Sequence, residues 1–133
     1  MVAGDEAIGA YLDGLLPERD AVLTRLEAEA REEDIPIVGP RVGSLLQILT
    51  SLLGARRVLE LGTAVGYSAL WLARGMAPNG KLITVEARES MADRARRNVA
   101  EAGMADVIEV RVGEAFSVLP ELEGDFDLVF NDI

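Results

Sequence analysis

The run Val58-Leu-Glu-Leu-Gly62-Thr-Ala-Val-Gly66-Tyr-Ser68 constrains this chain more than any other stretch. An apolar segment ends in an acid and a glycine, a loop of small residues follows, and a helical pattern opens at Tyr67. A strand that turns tightly into a helix brings backbone N–H groups up to a ligand at the strand's carboxyl end. The glycine spacing argues against one ligand class. A dinucleotide fingerprint places glycines two and five positions after the first, and here those positions hold Ala64 and Tyr67. A plain strand-to-helix turn in some α/β domain is the alternative.

The rest of the chain alternates in the same way. Helices are expected over 5–16, 18–33 and 41–53, with residues 35–40 (Ile-Pro-Ile-Val-Gly-Pro) as an extended linker, because residues before proline avoid the helical region. Gly54 suits a left-handed stop. Strands are expected over 57–61, 81–86, 107–112 and 126–131, with helices over 67–74 and from Ser90 to about 102, and a short one before Pro120. Ser90 with Asp93 three residues on reads as a capping box. Strands alternating with helices predict a parallel sheet with right-handed crossovers. One domain is expected over 1–133, a helical segment 1–54 leading into an α/β core 55–133.

Composition narrows the chemistry. The 133 residues carry a net charge of −10, which disfavours a nucleic-acid partner bound through a basic footprint. There is no cysteine and no histidine, so thiolates, disulfides and the commonest general base are excluded. The Arg94-Ala-Arg96-Arg97 cluster is flanked by Glu89, Asp93 and Glu101 and reads as a salt-bridged face. The N-terminus lacks the pattern of a signal peptide. Leu45–Leu53 is interrupted by Gln47, Thr50 and Ser51, so no membrane association and a cytoplasmic location are expected.

Glu60-Leu-Gly-x-x-x-Gly resembles motif I of class I S-adenosylmethionine-dependent methyltransferases. An acid ending strand two, a glycine after strand three and Phe126-Asp-Leu-Val-Phe-Asn-Asp132 match that class in order and spacing. The stretch from Ile35 to Leu46, Gly66-Tyr67-Ser68 and the terminal Asn131-Asp132 are more specifically similar to the cation-dependent O-methyltransferases, the family of catechol and caffeoyl-CoA O-methyltransferases. The resemblance implies an α/β, Rossmann-like parallel sheet of order 3-2-1-4 with helices on both faces. It also implies methyl transfer from S-adenosylmethionine to a hydroxyl of a small-molecule acceptor; the alternatives are a stand-alone S-adenosylmethionine-binding module without turnover and a methyltransferase that modifies tRNA.

Individual residues then take expected roles. Gly62 suits close backbone approach to a ligand, with an ordinary turn glycine as the alternative. Glu86 ends an apolar strand, where an unpartnered carboxylate is costly. It is expected to accept two ribose hydroxyls, unless it caps the next helix. By resemblance, Gly62 with Ser68 and the Val38 backbone meets the methionine end of the cofactor, near its carboxylate. Glu60 supports its amino group, unless it only orders the glycine loop. Gly113 and Ala115 stand on the adenine side, where Glu114 replaces the family's frequent aspartate. Asp132 resembles a metal-ligand aspartate for Mg²⁺, a cation that wants about six oxygens; the alternative is a polar strand end. The family's other ligands and its lysine lie downstream of strand four, so this chain is expected to hold the cofactor part alone. Strand four is expected at a sheet edge, and its apolar side chains predict a homo-oligomer.

Overall fold

A computed structural model describes residues 3–133. Three helices, α1 (Ala3–Gly14), α2 (Ala21–Glu32) and α3 (Gly39–Leu52), precede β1 (Arg57–Leu61), α4 (Tyr67–Gly75), β2 (Lys81–Glu86), α5 (Glu89–Glu101), β3 (Ile108–Val112), α6 (Ala115–Val118), a 3₁₀ turn at Leu119–Glu121 and β4 (Leu128–Asn131). The four strands form one parallel sheet in the order β3-β2-β1-β4, as the resemblance implies. No helix among the described residues is long and apolar enough to cross a membrane.

The strands divide their side chains between two cores, as their period of two requires. Val58, Leu82 and Ile108 point into the larger core, with Leu70 and Trp71 of α4, Val99 of α5 and Leu23 and Leu26 of α2. Leu59, Leu61 and Val85 point the other way, onto Ala115 and Val118 of α6. Right-handed crossovers place α4 and α5 on one face while the chain winds outward from β1 to β3. The return to β4 carries α6 to the opposite face. The winding direction therefore reverses between β1 and β4, and a cleft opens beyond the carboxyl ends of these strands.

Several local expectations are corrected by hydrogen bonding. The helix after β2 starts at Glu89, with Arg88 as its N-cap, so Ser90 lies inside it and forms no capping box. Instead the Glu86 carboxylate accepts the Arg88 N–H at 3.0 Å, ordering the helix entry from the strand. The second helix starts at Ala21 because Asp20 takes the N-cap and accepts the Leu23 N–H at 2.9 Å. Gly39 and Pro40 belong to the first turn of α3 rather than to the linker, since proline's missing N–H is no loss there. Strand four opens only at Leu128: Asp127 Oδ2 accepts the N–H groups of Arg56 and Arg57, at 2.7 and 2.9 Å, fastening the start of β1. Arg94 pairs with Glu29 of α2 and with Glu33, the C-cap of that helix, not with its own helix, whereas Arg96 pairs with Asp93.

Close packing of α3 on α4 sets the floor under the helical layer. Thr50 is fully buried and donates to main-chain carbonyls, including Leu72 at 3.1 Å. At Gly75 a Cβ would overlap both Thr50 Oγ1 and the Gln47 carbonyl oxygen, and that carbonyl is held in α3. Gly75→Ala should therefore destabilise the chain by about 1–3 kcal/mol, the usual range for overpacking, despite alanine's better helix propensity. Urea unfolding measures this; a variant as stable as the parent would show that α3 yields.

Candidate functional site

A cavity of about 390 Å³ lies at the reversal point. Its floor is the β1–α4 loop, its sides are the ends of β2 and β3, and its rim carries Val38 from the start of α3 and Asp132 from the exit of β4. Its size falls within the range of small-molecule sites. The structure brings Val38, Gly62, Ser68, Glu86, Gly113, Ala115 and Asp132 together around it. Glu60 is not among the lining residues. It lies beneath them, fully buried, one hydrogen bond behind Ser68.

The loop owes its shape to left-handed backbone. Gly62 has φ of 97° and Gly66 of 86°, and between them Ala64 sits at 46°, an uncommon conformation for a residue with a Cβ. At Gly62 a Cβ would strike the Asp132 carbonyl oxygen, so the fold itself demands glycine where β4 leaves the sheet. Close approach to a ligand is not needed to explain it.

Glu86 holds the loop from β2. Its Oε2 accepts the Ala64 N–H at 2.9 Å while Oε1 accepts the Arg88 N–H, and the Arg88 guanidinium lies at 3.5 Å. Both expected roles are thus compatible, because each carboxylate oxygen has a further lone pair.

Under the loop runs a buried polar chain. Ser68 Oγ donates to Glu60, Thr84 Oγ1 donates to the other Glu60 oxygen at 2.6 Å, and Thr63 Oγ1 lies 2.6 Å from Thr84 Oγ1. Burial pushes the Glu60 carboxyl up to about 7, against the two hydroxyl donors, with Asp132 adding to the rise. Thr63 and Thr84 escape sequence reading because a threonine in a strand or loop is ordinary there; the one signal is that each lies within three positions of a conspicuous acid, Glu60 and Glu86. Phe116 and Tyr67 also line the cavity, the first exposed, the second buried with its hydroxyl on Glu27 of α2 at 2.7 Å.

Asp132 stands without two further acidic or histidine ligand groups beside it among the described residues. No group of three or more His, Cys, Asp or Glu side chains able to hold a metal occurs among the described residues. Asp132 and its neighbour Asn131 cannot surround an ion that takes about six oxygens.

Comparison with known proteins bears on this geometry. A family model described as O-methyltransferase matches residues 17–133. A catechol O-methyltransferase of Mycobacterium tuberculosis is 42% identical over 128 residues, covering 94% of this chain and 58% of that protein. One of Niastella koreensis is 37% identical, covering 96% and 60%. The crystal structure of the Streptomyces achromogenes O-methyltransferase TomG with SAM superposes with a TM-score of 0.89 at 39% identity, over 100% of this chain and 63% of that one. A Bacillus cereus O-methyltransferase with SAH gives 0.84 at 37% identity, over 95% and 60%. The chain spans about three fifths of the length of these relatives.

The raised Glu60 carboxyl makes stability pH-dependent in a stated direction. The folded state holds this proton more tightly than the unfolded chain, whose value is near 4.5. The contribution is therefore fully present below the unfolded value and is lost as pH rises to about 7. The lowered carboxyls of Glu29 and Asp127, held down by arginines and by backbone N–H groups respectively, act in the opposite sense and at more acid pH. Denaturant unfolding between pH 5 and 8 should show a fall in stability that Glu60→Gln removes. Equal slopes in the two proteins would place the titration elsewhere.

Proposed function

The chain belongs to the O-methyltransferase family, and from this premise we propose that its cavity binds S-adenosylmethionine. We infer that the protein transfers the cofactor's methyl group to a hydroxyl of a small molecule. The observation that carries the reading is the cleft at the reversal point, walled by a glycine loop and by Glu86, which itself holds that loop. The SAM- and SAH-bound structures of relatives support it.

The parts divide by chemistry. Glu86 has lone pairs left for two vicinal ribose hydroxyls. Gly113 and Ala115 border the place for the adenine, and Gly62, Val38 and Ser68 the methionine end. With Glu60 ionised, Ser68 spends its one proton on it and so faces the cavity with acceptor lone pairs. That suits the cofactor's ammonium better than its carboxylate, and Glu60 supports the ammonium through Ser68 rather than by contact. In methyl transfer the acceptor oxygen attacks the methyl carbon in line with the C–S bond. That bond breaks and its electron pair leaves on sulfur, while the acceptor's proton passes to a base. Positioning supplies most of the rate in such a displacement.

Calorimetric titration with S-adenosylmethionine and S-adenosylhomocysteine tests the reading. Glu86→Ala should weaken both by roughly tenfold to a hundredfold, the value of hydrogen bonds to a charged group. Unchanged affinity in a folded variant would sink the ribose assignment.

A homo-oligomer is part of the same proposal. Tyr11 and Leu15 near the end of α1, and Leu45, Ile48 and Leu52 of α3, expose large apolar side chains, with Leu52 at 80%. Burial of each such side chain is worth about 1.5–3 kcal/mol, which a second copy would supply. Sedimentation at tens of micromolar should show concentration-dependent association that Leu45→Glu weakens; a monodisperse monomer would refute it.

A further inference from the structure

The glycine loop is gripped from the helical layer as well as from the sheet. Asn98, in the last turns of α5, is 4% exposed. Its Nδ2 donates to the Val65 carbonyl oxygen at 2.9 Å, and its Oδ1 accepts from Arg25 Nη2 of α2 at 3.0 Å. A guanidinium can only donate and a carbonyl can only accept, so a single orientation of the amide satisfies both neighbours. Arg25 is itself steadied by Glu29 at 2.7 Å and by Glu101 at 2.6 Å. The amide is thus a polar bridge whose sense is dictated from α2.

The grip falls where the backbone has least tolerance. Val65 lies between Ala64 and Gly66, both left-handed, with φ of 46° and 86°. Freeing the Val65 carbonyl would let the Val65–Gly66 peptide plane rotate, which alters the left-handed φ of Gly66 and breaks the Gly66 N–H bond to the Thr63 carbonyl at 2.9 Å, beside the Ala64 N–H that Glu86 accepts. The same rotation would leave a buried carbonyl unpaired or turn it into the cavity floor.

We propose that Asn98, oriented by Arg25, is a positioning residue that holds the glycine loop in its ligand-binding shape and so couples α2 to cofactor binding. This rests on the cavity reading given above. Asn98 does not line the cavity and acts through Val65, which does.

Asn98→Asp is the discriminating change. It keeps the side chain's shape and an acceptor for Arg25, but turns a second acceptor toward the Val65 carbonyl. The Kd for S-adenosylmethionine and for S-adenosylhomocysteine should rise about tenfold, measured well below the variant's own melting temperature. Hydrogen exchange at the Ala64 and Gly66 amides should quicken without cofactor present. Arg25→Met should shift both readouts in the same direction by less, since it only frees the amide to turn; it carries the test if Asn98→Asp does not fold. A lower melting temperature with unchanged Kd and unchanged exchange would show a merely structural role and overturn the proposal. Should the unaltered chain bind neither compound, the cavity reading fails. The exchange arm then still decides the clamp: quickened amides support it and unchanged amides refute it.

Discussion

Five residues between β1 and α4 reverse the chain's direction inside a buried region, and their backbone groups must all find partners there. Gly62 donates to the Val85 carbonyl at 2.9 Å, Ala64 to Glu86 at 2.9 Å and Gly66 to the Thr63 carbonyl at 2.9 Å, while Val65 accepts from Asn98. Thr63 is tied through its side chain to Thr84 of β2. Much of what surrounds the loop is arranged around these bonds. β2 ends in an acid, α5 carries an asparagine on its inner face, and β4 leaves the sheet against a residue that cannot have a side chain.

Glu60 and its hydroxyl partners run against ordinary core economy. A buried carboxylate costs several kcal/mol even when hydrogen-bonded, and apolar residues of similar volume would often be as stable or better. Here burial wins far enough to lift the carboxyl to about 7 despite two donors. The return is geometric: Ser68 is pinned with its lone pairs toward the cavity, and β1, β2 and α4 are tied at one point. The helical layer adds a second set of ties through Tyr67 to Glu27 and Asn98 to Arg25. The two sets meet on opposite sides of the same loop.

Much of this was readable from the chain. The strand at Arg57–Leu61, the strand at Lys81–Glu86 and the start of α4 at Tyr67 have the bounds that the sequence pattern predicts, because an apolar run bounded by charge and glycine leaves little freedom. Helix starts were less legible. Ser90 has the pattern of a cap and is not one, since the N–H groups of Met91 and Ala92 bond to the Arg88 carbonyl and so place Ser90 inside the helix. Strand four appeared longer than it is because Phe126 and Asp127 continue the pattern, while one turns into the second core and the other fastens β1.

The order and spacing of Glu60, Gly62, Glu86, Gly113 and Asp132 determined by themselves which residues would gather at one end of a parallel sheet, because strand ends in such a sheet must converge there. Pairing across distance was decided only in three dimensions. That Gly62 answers to the Asp132 carbonyl, that Glu60 lies behind Ser68 instead of in the cavity, and that Asn98 and Arg25 reach the loop all depend on contacts between residues up to 73 positions apart. Such contacts leave no periodic trace, since a buried asparagine or threonine has the same letter as an exposed one. Only the packed structure supplies the partner that gives it a role.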